Sequence, residues 1–163
     1  MIDSLTAYVD WLMDRDRKSP GLKSLQGKIW QAGYESGELK GQVYPDVPPA
    51  LARWQALNRR VCIFSSGSIL AQKLLFAHTT VGDLTPFISA YFDTTMGAKT
   101  EADSYREIAA VLALGPQEIM FLSDVEAELD AAQAAGLQPV LCVRDAPRPV
   151  AHGNRVIHTF DEL

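Results

Sequence analysis

The stretch V-C-I-F-S-S-G-S, from Val61 to Ser68, decides the fold of this chain. Its first four residues are apolar with no polar alternation, which predicts a strand buried on both faces, as in a parallel sheet covered by helices. From Ile69 onward the apolar residues recur at helical spacing, and Ser68 is placed to cap that helix. The stretch therefore predicts a strand, a turn of small residues and a helix.

The turn Ser65-Ser66-Gly67 presents hydroxyl and backbone N–H groups at the carboxyl end of the predicted strand. Such a turn beside a helix N-terminus suits a phosphate, because the helix dipole and the free N–H groups favour an anion. An ordinary capped connection between a strand and a helix would have the same composition. The turn alone leaves both interpretations open.

Strand and helix patterns alternate after this turn. Such an alternation predicts an α/β fold with a Rossmann-like, doubly wound parallel sheet and right-handed crossovers. Before Val61 only helical patterns occur, and the last of them directs Leu51, Trp54 and Leu57 inward. The predicted strands are 61–64, 89–93, 119–122, 139–143 and a short edge strand near 156–157; the predicted helices are 5–13, 22–34, 50–57, 69–77, 101–114 and 126–135.

A segment rich in turn-forming residues, 41–49, separates two units of the chain. We therefore expect a helical unit over residues 1–43 and an α/β core over residues 44–163. In the first unit Leu22, Leu25, Ile29 and Trp30 share one side of a helix, which predicts that they pack together.

Composition narrows the class of partner. The net charge is -5 with no long basic run, which argues against binding to nucleic acid or to an anionic membrane. No apolar stretch reaches a membrane-spanning length, and the residues after Met1 do not form a signal peptide. Cys62 and Cys142 lie in apolar runs, where reduced, buried thiols are expected. We expect a cytoplasmic monomer that acts on a small molecule.

Polar residues that follow the predicted strands are the candidates for chemistry, because ligands bind at the carboxyl ends of parallel strands. Asp124 follows 119–122 and is a candidate Mg²⁺ ligand, although a helix N-cap is an equally simple role. Lys99 lies in a loop between a strand and a helix, where its ammonium could neutralise phosphate or simply be solvated. Asp93 ends another predicted strand.

Three ordered motifs, I-F-S-S-G-S, G-A-K-T-E-A-D-S-Y and F-L-S-D-V, resemble the second, third and fourth motifs of the haloacid dehalogenase (HAD) superfamily. Within it the chain is similar to the enolase-phosphatases, or acireductone synthases, of methionine salvage. F-S-S-G-S-I-L-A-Q-K-L-L-F-A-H and L-K-S-L-Q-G-K-I-W-Q-A-G-Y-E-S-G-E-L carry this closer resemblance, which covers nearly the whole chain.

The resemblance implies a HAD-like core with a small helical cap, of which residues 1–43 would be part. It implies Mg²⁺-dependent enolisation and dephosphorylation of 2,3-diketo-5-methylthiopentyl-1-phosphate. Ser65, Ser66 and Gly67 would hold the phosphate, Lys99 would pair with it and with the nucleophile, and Asp124 would bind Mg²⁺. Phosphoryl transfer depends mainly on positioning the phosphate and neutralising its charge, and these residue types can do both. Trp30, Tyr34 and Glu38 would contact substrate or, as we expect, pack within the cap.

The sequence departs from the family at one motif. The family opens with a strand that ends in D-x-E-G-T-T, whose first carboxylate is the nucleophile, and no such motif occurs here. By resemblance the chain begins inside the cap, so we expect a core without its first strand and little or no turnover. The alternative is a non-catalytic module that binds phosphate or a protein. We favour a shortened enzyme, because Ser65, Lys99 and Asp124 are present.

Overall fold

The computed structural model describes residues 20–144, 153 and 155–163, with side chains from residue 27 onward. The helix predicted at 5–13 lies outside the described residues. The described residues form five α-helices, five strands and four 3₁₀ turns. In chain order the helices and strands are α1 (Pro20–Glu35), α2 (Val47–Ala56), β1 (Val61–Phe64), α3 (Ile69–Ala77), β2 (Ile88–Phe92), α4 (Ala102–Leu112), β3 (Met120–Ser123), α5 (Glu126–Ala134), β4 (Gln138–Cys142) and β5 (Arg155–Ile157).

The strands form two parallel sheets. β1 pairs with β2 in one sheet, and the second sheet has the order β3-β4-β5. The predicted α/β class with a parallel, Rossmann-like sheet is therefore confirmed. Between β1 and β3 the described residues show no strand pairing.

Helices α4 and α5 cover one face of the strands. Tyr105 of α4 is 1% exposed and packs against Phe64 of β1 and Phe121 of β3, with ring centroids 5.7 and 4.9 Å apart. Ala131 and Ala132 of α5 lie in the same apolar cluster. A single tyrosine thus joins the two sheets across the gap between them.

The C-terminal 3₁₀ turn, Phe160–Glu162, covers the opposite face. Phe160 packs beside Val140 and Ile157 and also contacts the ring of Trp54 in α2 at a centroid distance of 5.4 Å. Nη2 of Arg53 donates to the carbonyl oxygen of Phe160 at 2.7 Å. Helix α2 is therefore tied to the far sheet through the C-terminal segment.

Several expectations about local packing are wrong. Leu57 is 58% exposed because α2 ends at Ala56, so that this residue lies in the following turn instead of facing inward. Ile29 and Trp30 of α1 are 59% and 41% exposed within the described part of the chain, so the packed side predicted for them is not found there. Helix α1 begins at Pro20, two residues before its predicted start, and proline is tolerated at the beginning of a helix because the N–H that it lacks would have no partner there.

Among the described residues, none of the helices combines the length and the apolar character that crossing a membrane requires. Both cysteines are free; Cys142 is buried, and Cys62 is only half-buried because it faces the gap between the sheets.

Asp46 connects the start of α2 to the C-terminal region. Its Oδ2 accepts hydrogen bonds from Nη1 of Arg144 at 2.7 Å and from the backbone N–H of Phe160 at 2.6 Å. Burial raises the pKa of Asp46, but the hydrogen bonds from Phe160 and Arg144 outweigh it and hold the pKa below the ordinary value of 3.8. The ionised form of Asp46 therefore stabilises the folded chain.

Because the pKa of Asp46 is lower in the folded chain, its contribution is present above pH 3.8 and is lost as the pH falls through the folded pKa. We expect Asp46→Asn to be less stable than the wild type near neutral pH, and this difference to shrink in strong acid. Urea unfolding between about pH 7 and pH 2 measures it. Asp103→Asn, at a carboxylate that is 92% exposed, is the control. A destabilisation by Asp46→Asn that stays constant with pH would contradict the assignment.

Candidate functional site

The hydroxyl turn, residues Ser65–Ser68, lies between β1 and α3. The backbone N–H of Ser65 donates to the carbonyl oxygen of Phe92 at 3.1 Å, and Oγ of Ser65 accepts from the N–H of Gly67 at 3.1 Å. Oγ of Ser68 accepts from the N–H of Ala71 at 3.3 Å, so the predicted N-cap is confirmed. The side chain of Ser66 is exposed. The turn places polar groups at the carboxyl end of β1, beside the first turn of α3.

Gln72 fixes this turn from beneath, a role that the sequence did not indicate. Its Nε2 donates to the carbonyl oxygens of Gly67 and Phe92, both at 2.9 Å, and the residue is 5% exposed. One amide group thus links the hydroxyl turn to the end of β2. In the sequence, Gln72 is a polar residue in a mostly apolar stretch of α3. This pattern does not indicate which groups the side chain contacts.

The loop that carries Lys99 is fixed by the first residues of α4. Oγ of Ser104 donates to the carbonyl oxygen of Ala98 at 2.7 Å, and the hydroxyl of Tyr105 donates to that of Lys99 at 2.6 Å. Gly97 has φ +115°, where a side chain would be strained and would also meet Ser104. Burial and then the carboxylate of Glu128 raise the pKa of Tyr105, which keeps its hydroxyl a donor.

Lys99 forms an ion pair with Glu128 of α5. Nζ lies 2.7 Å from Oε2 of Glu128, and the side chains are 25% and 11% exposed. Oγ of Ser123, the last residue of β3, donates to the same carboxylate oxygen at 2.8 Å. Nζ of Lys99 is also 6.0 Å from the ring centre of Phe64, the residue before the hydroxyl turn. The interpretation of Lys99 as a solvated surface residue is therefore wrong.

Asp124 follows Ser123 at the carboxyl end of β3, and its side chain is exposed. The N-cap of α5 is Val125, whose backbone N–H donates to Oγ of Ser123 at 3.1 Å. The alternative role of Asp124 as the N-cap of this helix is therefore not found. Asp124 adjoins Ser123 in the chain, and the hydroxyl of Ser123 donates to Glu128.

Asp93, at the end of β2, has a local structural role. Its Oδ1 accepts from the backbone N–H of Thr95 at 3.0 Å and from the hydroxyl of Thr95 at 2.7 Å, which caps the short 3₁₀ turn Thr94–Met96.

Lys99 lies between the carboxyl ends of β1 and β3. Lys99 is in contact with Phe64 on the side of the hydroxyl turn and with Glu128 on the side of Asp124. The sequence did not single out Glu128, because an acidic residue in the first turn of a helix is common for reasons of the helix dipole alone. Hydroxyls, N–H groups at a helix N-terminus and one ammonium can together bind an anion.

The donor set fits Mg²⁺ only as a partial site. In the described part of the chain, no three His, Cys, Asp or Glu residues are grouped so that they could hold a metal. Mg²⁺ commonly keeps several waters and binds through one or two carboxylates together with substrate phosphate. The exposed carboxylate of Asp124, which follows β3, suits one such ligand position.

Comparison with known proteins shows the family to which the chain is similar. A family model described as haloacid dehalogenase-like hydrolase matches residues 7–136. The chain is 55% identical over 157 residues to enolase-phosphatase E1 of Synechococcus elongatus, which covers 96% of this chain and 66% of that protein. It is 51% identical to enolase-phosphatase E1 of Sorangium cellulosum, with 96% and 68% coverage. The chain therefore spans about two thirds of the length of these relatives.

A solved structure is also closely similar. The UTR4 protein of Saccharomyces cerevisiae superposes with a TM-score of 0.90 at 39% identity, over 99% of this chain and 75% of that one. Fold, motif positions and relatives lead to the same result. The chain belongs to the haloacid dehalogenase-like hydrolases and, within them, to the enolase-phosphatases E1.

Proposed function

We propose that this chain supplies the phosphate- and Mg²⁺-binding part of an enolase-phosphatase that acts on 2,3-diketo-5-methylthiopentyl-1-phosphate in methionine salvage. The observation that carries the proposal is the chain of contacts from Phe64 through Lys99 and Glu128 to Ser123. These contacts hold an ammonium between the ends of β1 and β3, which precede the hydroxyl turn and Asp124 in the chain. A phosphate monoester with a divalent cation requires a cationic group, hydroxyl or N–H donors and a carboxylate of this kind.

Each site residue has a defined part in this proposal. Ser65, Ser66 and Gly67 bind the phosphate oxygens with hydroxyl and N–H groups, and the dipole of α3 favours the negative charge. Lys99 neutralises part of that charge and is held in place by Glu128. Asp124 holds Mg²⁺, which when bound neutralises the phosphate and polarises its P–O bonds.

We also propose that α1 belongs to a partial helical cap of residues 1–43, over a core of residues 44–163. Helix α1 packs on α3, where a Cβ at Gly27 would lie 3.6 Å from Leu70, close to the start of α3. Tyr34 stacks on His78 at the other end of α3, with ring centroids 5.6 Å apart. A helix in this position lies near the hydroxyl turn, where a cap can limit the access of water. We propose, in addition, that the protein is cytoplasmic and monomeric.

The test is Mg²⁺-dependent phosphate release from the diketone substrate. The 163-residue chain is expected to show little turnover, and a version extended upstream by an apolar strand ending in D-x-E-G-T-T is expected to be active. In the extended version Lys99→Met and Asp124→Asn should remove most of the activity. The first removes an ammonium that neutralises the phosphate, and the second removes a carboxylate that would hold Mg²⁺. Asp103→Asn, at an exposed carboxylate on α4, should leave it unchanged. An inactive extended protein that folds and binds Mg²⁺ would exclude the proposed reaction.

A non-catalytic module that binds phosphate is the second candidate, and the hydroxyl turn at the start of α3 is the feature that would serve it. Such a module would bind inorganic phosphate through the hydroxyl turn with no turnover in either version of the chain. Titration of the backbone amide signals of Gly67 and Lys99 with phosphate, compared with the activity assay, separates the two candidates.

A further inference from the structure

Gln72 is a buried amide in a mostly apolar helix, and the groups around it fix its orientation. The residue is 5% exposed, and its Nε2 donates to the carbonyl oxygens of Gly67 and Phe92. Because both neighbours are acceptors, the nitrogen and not the oxygen of the amide faces them. Within the described residues, Oε1 of Gln72 has no hydrogen-bond partner. A buried acceptor without a partner lowers stability, so stability alone does not account for an amide at this position.

The two carbonyl groups that Gln72 contacts are connected to each other through Ser65. The carbonyl oxygen of Phe92 also accepts from the backbone N–H of Ser65 at 3.1 Å. The N–H of Gly67 donates to Oγ of Ser65 at 3.1 Å. Gln72, Gly67, Ser65 and Phe92 therefore form a closed ring of four hydrogen bonds. Removing the amide of Gln72 opens this ring at two places.

The ring determines the direction of the Ser65 hydroxyl. A serine hydroxyl has one hydrogen to donate and can accept at its oxygen. In Ser65 the oxygen accepts from Gly67, and in the described part of the chain the hydroxyl donates to no protein group. Its hydrogen therefore remains available for an anion outside the ring. Gln72 influences this hydroxyl through Gly67 without touching it.

The ring also connects the hydroxyl turn to the loop that carries Lys99. Phe92 is the last residue of β2, and Asp93 follows it and caps the 3₁₀ turn Thr94–Met96. Lys99 comes three residues after this turn. The contact between Gln72 and Phe92 thus joins the hydroxyl turn to the strand end at which the Lys99 loop begins.

We propose that Gln72 is a positioning residue for phosphate binding. It fixes the hydroxyl of Ser65 and the backbone of Gly67, and it holds the hydroxyl turn in a constant place relative to the Lys99 loop. Gln72 makes no contact with the phosphate itself. The inference rests on the proposed function, in which the hydroxyl turn binds the phosphate group.

The test compares Gln72→Met with the wild type in the full 163-residue chain, with inorganic phosphate as the probe. Methionine keeps the length of the side chain and removes both donors. We expect the affinity for phosphate, measured from the backbone amide signals of Gly67 and Lys99, to fall about tenfold, the effect of about one hydrogen bond to a charged group. The free energy of unfolding in urea should stay close to that of the wild type, because the unpartnered acceptor is removed together with the donors.

The matched control is Gln55→Met. Gln55 lies on α2, is exposed, and donates to the carbonyl oxygen of Pro86 at 3.3 Å. This variant replaces a helical glutamine in the same way at a position away from the hydroxyl turn. It should leave the affinity for phosphate unchanged.

Hydrogen exchange without phosphate measures the ring itself. In Gln72→Met the amide hydrogens of Ser65 and Gly67 should exchange faster than in the wild type, because the ring that holds them is open. The amide hydrogen of Val140, in the middle of β4, should keep its rate. In the wild type, phosphate should also shift the side-chain amide signals of Gln72, a measurement that does not depend on how well a variant folds.

The possible failures are distinguishable. If the wild type does not bind phosphate at the hydroxyl turn, the proposed function fails and the role of Gln72 fails with it. If the wild type binds phosphate and Gln72→Met binds it equally well, only the role of Gln72 is wrong. A loss of affinity that is matched by the loss of unfolding free energy would show a structural role and would also overturn the inference. Side-chain amide signals of Gln72 that do not respond to bound phosphate would have the same consequence.

Discussion

Replacing Glu128 with leucine is expected to lower the free energy of unfolding by about 3 kcal/mol, near the lower end of the loss seen when one partner of a buried ion pair is removed. The lower end applies because Lys99 is 25% exposed and can recover part of its hydration. The substitution also leaves the hydroxyl of Ser123 without its acceptor. Urea unfolding at neutral pH measures the change in the free energy of unfolding. The control is Asp103→Asn, at an exposed ion pair, which should not change this free energy measurably.

The same pair gives a second, sharper result. If the loss comes from an uncompensated ammonium, then Lys99→Met combined with Glu128→Leu should recover most of the stability, because a buried ion pair can be replaced by apolar side chains at little cost. A double-mutant cycle gives the coupling energy between the two residues. Additive losses in the cycle would show that Glu128 acts through its packing alone.

Tyr105→Ala is the other substitution with a large expected effect, a loss of about 3–5 kcal/mol, as is typical when a buried aromatic residue is truncated. The ring is 1% exposed and contacts Phe64 of β1 and Phe121 of β3, on opposite sides of the gap between the two sheets. Thermal and urea unfolding should show the loss, together with a weaker coupling between the two sheets.

The control for this variant is Tyr105→Phe, which keeps the ring and removes only the hydrogen bond to the carbonyl oxygen of Lys99. We expect it to cost about 1 kcal/mol, the usual net value of one hydrogen bond. A loss for Tyr105→Phe as large as that for Tyr105→Ala would show that the position of the Lys99 loop, and not the ring, determines the stability.

The sequence was sufficient wherever local chemistry defines an element. β1 and α3 have the predicted bounds, because the apolar run ends at a turn and Ser68 caps the following helix. The predictions for β2, β3 and β4 are each displaced by one residue. The ends of these strands depend on pairing with a neighbour: Gln138 belongs to β4 because it lies opposite Met120 of β3.

Contacts between distant parts of the chain could not be predicted in this way. From the sequence, Glu128 is expected to be an ordinary acidic residue in a first helical turn, and Gln72 a surface glutamine. The residues next to them in the sequence do not indicate which groups their side chains contact. Lys99 meets Glu128 only because α4 and α5 pack side by side beneath the sheets. The sequence therefore predicted which motifs form the candidate site but not what holds the motifs together.

The gap between β1 and β3 also determines how the molecule can open. Within the described residues no ladder of backbone hydrogen bonds connects the β1–β2 half with the β3–β4–β5 half, so their coupling depends on side chains such as Tyr105 and Trp54. Amide protons of β4, in the middle of its sheet, should exchange more slowly than those of β1, and the two halves should exchange as separate cooperative units.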